Sequence, residues 1–404
     1  MILEKSAIFL LWFAAVIDPI GNMYGLRYLA LATAFASLAL QFLFVPSAQL
    51  EKSYRGALIL LLSLVFPVCG LTMYYTRVVD GNEFIDTSYL ASGVLIMTSL
   101  LYRSKTLCEF GIDSLIFSTR LLSLLVIAGY VSQVLFVDDW ISFFTERNVA
   151  LFSFREYAGI TLPYIYFLAS PLLIFLIAYD FYKFKLKPNA ISLFAFIFTT
   201  FSFALTGTRA HIVIAILFAP LYLLLSSNRK TIFKASFLFA TVIFTFIIIG
   251  DTRSLIFSFF STSEINNSIK ISLLDGYVEI LSNPLVLIFG QGFNAHEWSP
   301  PLRNMIAMEV GASKTELTYL ELVRVFGIII ATIFMVTIFL LLRSTKNLYQ
   351  GLQWIFPGFA VFLANAAINP YLFSVNGMLP LGLIASISCY YRRTNQCHAL
   401  REKH

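Results

Sequence analysis

Arginines placed close to apolar runs are the residues in this chain best suited to chemistry. Arg209 sits in Thr206-Gly207-Thr208-Arg209-Ala210-His211, a short connection between two long apolar stretches. So short a link holds the guanidinium at or below a membrane face, where an unpaired charge is costly, so an anionic group is expected to meet it. Arg253, in Asp251-Thr252-Arg253, leaves the following apolar run at the same depth. Arginine offers a planar fork that grips phosphate oxygens bidentately and stays charged in a low dielectric. Arg209 and Arg253, with His211, Arg303 and Arg324 nearby in the pattern, therefore read as a receptor for a lipid diphosphate. A local Asp251–Arg253 pair is the plain alternative for the second of them.

The titratable groups that accompany these arginines fall late in the chain. His296-Glu297-Trp298-Ser299 is a concentrated polar stretch, followed by Arg303, Glu309, Glu316 and Glu321. Two of them have structural alternatives. Ser313 and Glu316 have the Ser-x-x-Glu spacing of a capping box before an apolar run, and Glu321 and Arg324 have the i,i+3 spacing of a helical ion pair. Asp18, Asn365 and Asn369, near the ends of apolar runs, either line a polar cavity or hydrogen-bond between helices. Trp140, Phe143, Phe144 and Trp298 either stack on a ligand ring or anchor the membrane interface. The 4 cysteines and 4 histidines are too scattered to imply a disulfide framework or a metal cluster, so no metal and no cofactor is expected.

The elements that must position these residues follow from composition. Of 404 residues, 59% are hydrophobic and 12% charged, and the mean hydropathy is +0.82. A soluble domain carries about 25% charged residues, and a bilayer-spanning helix takes roughly 20 apolar ones. Long continuous runs rather than short alternating ones exclude a transmembrane barrel. The expected fold is an all-α polytopic membrane protein of about 12 spans, near 6–22, 28–45, 57–78, 87–102, 115–137, 158–179, 190–206, 211–226, 232–250, 317–342, 353–369 and 372–391. The first run lacks a small-x-small cleavage site and reads as a retained helix.

Lysine and arginine gather on the side that holds both ends, while acids such as Asp80, Glu83, Asp138 and Glu146 gather opposite, so both termini are expected in the cytoplasm. The Lys-Phe-Lys-Leu-Lys run at 183–187 is then a cytosolic anchor, Asp180–Asn189 is a connection, and Arg120 lies within a span. The chain divides into spans 1–9 over 1–250, an outer loop over 251–316, spans 10–12 over 317–391 and a cytoplasmic tail over 392–404. The loop is about 65 residues long, well beyond an ordinary connection. Within it Ile265, Ile269, Leu273, Leu274, Tyr277, Val278 and Leu281 recur at helical spacing and predict an amphipathic helix that Pro284 ends. Leu285–Phe289 and Gly290-Gln291-Gly292 then predict a tight turn against the membrane.

The Thr-Gly-Thr-Arg connection, the late outer loop, Phe289-Gly290-Gln291-Gly292 and the Glu316…Tyr319-Leu320-Glu321-Leu322…Phe326-Gly327 entry to the next span together resemble the O-antigen polymerase and ligase superfamily. Wzy-type polymerases belong to it, as membrane glycosyltransferases of the GT-C kind in the bacterial inner membrane. The resemblance implies an undecaprenyl-diphosphate-linked oligosaccharide as donor at the periplasmic face, with neither nucleotide sugar nor metal. A second lipid-linked repeat unit is the acceptor in a polymerase; in a ligase it is lipid A–core. A chain-length regulator and the flippase are the protein partners such a polymerase would have, and nucleic acid is not among the expected partners. The family's phosphate-binding arginines carry onto Arg209 and Arg253, and the ligases' loop histidine onto the region of His296, where Ala295-His296-Glu297-Trp298 departs from the ligase pattern.

Glycosyl transfer from a diphosphate passes through an oxocarbenium-like state, while charge grows on the departing oxygen, where preorganised arginines stabilise it. The acceptor hydroxyl needs a base, for which His296 and Glu316 are the first candidates and Glu297 and Glu321 the next. A lipid-linked oligosaccharide flippase or a two-halved permease also has about twelve spans, but a permease places its longest loop between its halves. In this chain the long loop follows span nine.

Overall fold

The computed structural model describes residues 2–44, 87–134, 141–157, 160–226, 265–292, 317–346, 348, 351–367, 369, 371–372 and 374–401. The expected spans 57–78 and 232–250, and with them Arg253, His296, Glu297, Arg303, Ser313 and Glu316, lie outside the described residues. What is described is mostly helical and membrane-embedded. In chain order the helices are α1 (Ile2–Ile17), α2 (Leu26–Phe44), α3 (Thr87–Leu101), α4 (Lys105–Val134), the short α5 (Ser142–Thr145), α6 (Leu173–Leu186), α7 (Ala190–Leu205), α8 (Arg209–Ser226), α9 (Ile265–Leu281), α10 (Pro284–Phe289), α11 (Thr318–Thr345), α12 (Ile355–Ala366) and α13 (Val375–Arg401). Among the described residues, Leu26–Phe44, Lys105–Gln133 and Thr318–Thr345 are long and apolar enough to cross a membrane. Shorter apolar helices such as Ala190–Leu205 and Ile355–Ala366 pack among them. Phe35 on α2, Ile191 and Phe194 on α7 and Phe339 on α11 are largely exposed among the described residues, an apolar outer surface of the kind that suits lipid.

The helical expectation holds in its coarse form, with one exception: Ala150–Tyr157 (β1) and Ile160–Phe167 (β2) form an antiparallel hairpin, with Ala150 opposite Phe167 and Phe154 opposite Pro163. The sixth span does not run over 158–179: it is a strand, a 3-10 turn at Ser170–Leu172 and then α6. Periodicity does not separate a short apolar strand from a buried helix. Its composition does: Ile160, Thr161, Tyr164, Ile165, Tyr166 and Phe167 are β-branched or aromatic, and Pro163 is tolerated because a two-stranded ribbon has only edges.

The later start of α6 moves Asp180 as well. It is not in a cytosolic connection but inside the helix, buried against α4 and α7. Arg120 grips both carboxylate oxygens, at 2.8 and 2.6 Å, and Thr199 Oγ1 donates to Oδ2 at 2.7 Å. Breaking a buried pair costs about 3–5 kcal/mol, whereas replacing both partners with apolar groups is often neutral. Asp180→Ala is therefore expected to reduce folded protein in the membrane, and Asp180→Leu with Arg120→Met to restore much of it, as read by thermal unfolding in detergent. At the bundle end holding the start of α1, Glu4 joins α2 to the α3–α4 connection by accepting from Gln41 at 2.9 Å and Arg103 at 2.5 Å.

A helix falls over the expected residues, Ile265–Leu281. Pro284 does not end it. The helix stops at Leu281, and Pro284 opens the six-residue α10, whose first turn is capped by Asn283 Oδ1 accepting from Leu285 N–H. Proline suits that position because its missing N–H would be unsatisfied there anyway. The following glycines dock on a kink in α11, where Gly327 leaves helical geometry at φ 73°. Gln291 N–H donates to Arg324 O at 2.6 Å and Gly292 N–H to Val325 O at 3.0 Å. A Cβ on Gly327 would lie 2.0 Å from Ile288 O, and one on Gly290 would lie 2.4 Å from Val325 O. Two backbones meet here at a distance that only glycine permits.

Candidate functional site

The ends of α1, α7 and α12 and the starts of α8 and α13 converge with β2 at one end of the bundle, around a cavity of about 400 Å³. Its wall includes Pro19 and Ile20 beyond α1, Leu151 on β1, Tyr164 and Tyr166 on β2, Thr208 before α8, and Asn369, Tyr371, Ser374 and Asn376 around the α12–α13 turn. Tyr164 and Tyr166 share a face of the strand because side chains alternate along it. Tyr166 and Tyr371 meet hydroxyl to hydroxyl at 2.7 Å. Aromatic rings together with amide groups are the lining that binds a hydroxylated ring: the rings cover its C–H faces and the amides pair its hydroxyls.

Behind this wall lies His211, fully buried. Its Nδ1 is 2.6 Å from Thr206 Oγ1, its Nε2 is 3.3 Å from Asn365 Nδ2, and its ring stacks on Phe203 at 4.2 Å between centroids. Thr206 Oγ1 also donates to Phe203 O at 2.6 Å. One proton arrangement satisfies all three contacts: His211 Nδ1–H donates to Thr206, and Nε2 accepts from Asn365. The rings of Tyr166 and Tyr371 each lie 6.2 Å from the imidazole. The histidine thus supports the two tyrosines from within the bundle and joins α8 to α12. Asn365 takes up interhelical bonding, while Asn369 lines the cavity. Asp18 does neither, since its carboxylate accepts backbone N–H groups of Met23 and Arg27 in the α1–α2 turn.

Arg209 is the first residue of α8, directly after the cavity-lining Thr208, whose Oγ1 caps the helix by accepting from His211 N–H at 3.1 Å. A helix start presents unpaired N–H groups and the positive end of the dipole, a setting that favours an anion. Gly207 seats this connection on the hairpin. It has φ +71°, and a Cβ on it would lie 2.2 Å from Tyr164 Cβ, an atom that no side-chain rotation moves away. The backbone strain alone costs about 1–3 kcal/mol. Gly207→Ala is expected to displace the connection from β2 and to lower the melting temperature of the purified protein, while Gly93→Ala, where a Cβ meets nothing within 4 Å, leaves it close to that of the parent.

Glu321 and Arg324 are brought together, as the spacing allows. Arg324 Nε and Nη2 donate to the two carboxylate oxygens at 2.7 and 2.5 Å, with the side chains 0% and 1% exposed. Tyr277 on α9 donates its hydroxyl to Glu321 at 2.8 Å, and Arg324 Nη1 reaches Gly292 O at 3.1 Å. The pair therefore clamps the loop helix and the glycine turn onto α11. It reaches the cavity only indirectly: Thr318 Oγ1 donates to Asn369 O at 2.7 Å, resting the start of α11 on the cavity wall. Phe143 and Phe144 are not among the residues lining the cavity: the Arg147 guanidinium lies 4.0 Å over Phe143, and Phe144 packs edge-on against Phe167.

No protein-family model matches the chain, and no curated protein matches it. The geometry of this end of the bundle thus carries the functional argument. Sequence reading missed Tyr164, Tyr166, Tyr371 and Asn376; the alternation of Tyr164 and Tyr166 was the available signal, hidden by reading their run as a helix.

Proposed function

We propose that the chain is a membrane glycosyltransferase, an O-antigen polymerase that joins undecaprenyl-diphosphate-linked repeat units at the periplasmic face of the bacterial inner membrane, with both termini cytoplasmic. The observation that carries this reading is the tyrosine- and asparagine-lined cavity bordered by the Thr206–His211 connection. A sugar-binding lining and a membrane-level arginine stand side by side, as a lipid-diphosphate sugar requires. In this reading Arg209, with Arg253 and Arg303, holds the donor diphosphate. The bond from the donor's anomeric carbon to the phosphate oxygen breaks as that carbon bonds to the acceptor hydroxyl oxygen. The hydroxyl proton passes to His296 or Glu316, and undecaprenyl diphosphate leaves with its charge held by the arginines. His211 stabilises the sugar wall, and Glu321 and Arg324 fix the outer loop beside it. A chain-length regulator and the flippase act on the product and the substrate of the same reaction.

Deleting the gene in its host and resolving lipopolysaccharide on a gel tests the reading. A polymerase mutant retains core plus a single repeat unit. Bare core with accumulating lipid-linked polymer would instead identify a ligase, and an unchanged ladder would refute both.

A further inference from the structure

We infer that α9 and α10 dock on lipid: their exposed apolar row dips into the membrane leaflet at the start of α11, with phospholipid acyl chains as its partner. The inference goes beyond the glycosyltransferase reading and does not depend on it, since it concerns how this part of the chain meets the bilayer.

The circumference of α9 divides into three stripes. Leu273, Tyr277 and Ile280 are buried, and Leu273 and Tyr277 pack against Leu317 and Leu320 where α11 begins. Ile271, Leu274, Val278 and Leu281 are exposed among the described residues. In a helix of 3.6 residues per turn these four fall on one stripe, directly beside the buried one. Asp275 and Glu279, also exposed, lie on its far side. A helix divided in this way settles at a membrane interface with its apolar stripe in the acyl chains and its acids in water. The apolar row continues into α10, where Leu285 is 68% and Phe289 56% exposed.

Depth names the partner. Beyond the kink at Gly327, α11 runs from Ile328 to Leu342 without a charged residue, and an exposed Arg343 follows in its last turn. That stretch rises about 22 Å, whereas a hydrocarbon core is about 30 Å thick. With Arg343 at one border, the other border falls about 8 Å before Ile328, among the first turns of α11. Gly327 therefore lies inside the hydrocarbon, and any tilt of the helix sets it deeper. The end of α10 is fixed at that level, because a Cβ on Gly327 would lie 2.0 Å from Ile288 O and 2.9 Å from Phe289 N. Phe289 thus joins the exposed Ile328 and Ile329 in one surface that continues the membrane-facing side of α11. Closer to the border lies α9, whose Tyr277 hydroxyl reaches Glu321.

The test uses the full-length protein in vesicles of dioleoylphosphatidylcholine, with benzoylphenylalanine placed by stop-codon suppression at Val278, Leu285, Phe289 or Glu279, one position at a time. Irradiation followed by mass spectrometry is expected to add one phospholipid to the peptide carrying Val278, Leu285 or Phe289, and that adduct is expected to be lost at Glu279. Phe289 adjoins the tight glycine contact, so Val278 and Leu285, which stand away from it, keep the test informative where the Phe289 variant fails to fold; each variant is read at the parental melting temperature. Adducts from these positions to another part of the chain, or to a second copy of it, would show that protein covers the row and would overturn the inference. The absence of any lipid adduct at the three apolar positions would overturn it too, as would lipid adducts at Glu279 as abundant as at Leu285. None of these failures touches the glycosyltransferase reading, which falls separately on an unchanged lipopolysaccharide ladder after gene deletion.

Discussion

Arg324→Ala is expected to remove most of the folded protein from the membrane rather than to impair turnover selectively. The substitution leaves the Glu321 carboxylate 1% exposed with Tyr277 as its remaining side-chain donor among the described contacts. It also takes away the guanidinium that holds Gly292 O. Removing one partner of a buried pair costs about 3–5 kcal/mol, against a total stability of about 5–15 kcal/mol. The loss falls where α9, α10 and α11 are joined, so α9 and α10 are the first parts expected to detach. Glu321→Leu combined with Arg324→Leu removes both charges and is expected to recover much of the melting temperature. The measurement is thermal unfolding of detergent-purified protein beside its amount in the membrane. An Arg324→Ala protein with the parental melting temperature but no activity would instead place Arg324 on the substrate.

Arg209→Ala is expected to abolish long polysaccharide chains at normal protein levels. Arg209 opens α8 from a connection fixed on one side by the Gly207–Tyr164 approach and on the other by the Thr208 cap, so the backbone holds its position without the guanidinium. In the proposed reaction that guanidinium meets the charge growing on the leaving diphosphate. Losing one such preorganised donor costs about 10²–10³ in rate, enough to reduce a ladder to single repeat units. Arg209→Lys keeps a point charge but not the fork and is expected to give short chains. Full-length chains from Arg209→Ala would show the diphosphate assignment to be wrong.

The helical framework was readable because apolar length is a strong signal. The runs expected at 190–206 and 211–226 are Ala190–Leu205 and Arg209–Ser226, and the helix expected from Ile265 to Leu281 begins and ends at those residues. What the sequence concealed depends on partners distant in the chain. Asp180 looks like the polar edge of a cytosolic link until Arg120, sixty residues away, is seen to hold it. The run 158–179 is as apolar as a span, and only its pairing with Ala150–Tyr157 makes part of it a strand. The same error hid the cavity, since Tyr164 and Tyr166 occupy one face only in a strand. Conversely, the Thr-Gly-Thr-Arg connection stood out from residue types alone, and it borders the cavity on which the functional proposal rests.

Reconstitution tests the central claim most directly. The full-length protein in proteoliposomes is supplied with undecaprenyl-diphosphate-linked repeat units extracted from a host lacking the gene, with no nucleotide sugar added, and the glycan products are resolved on a gel. A ladder of multiples of the repeat unit, appearing with release of undecaprenyl diphosphate and absent with Arg209→Ala, is the predicted result. Repeat units recovered unextended from folded, membrane-inserted parent protein would contradict it.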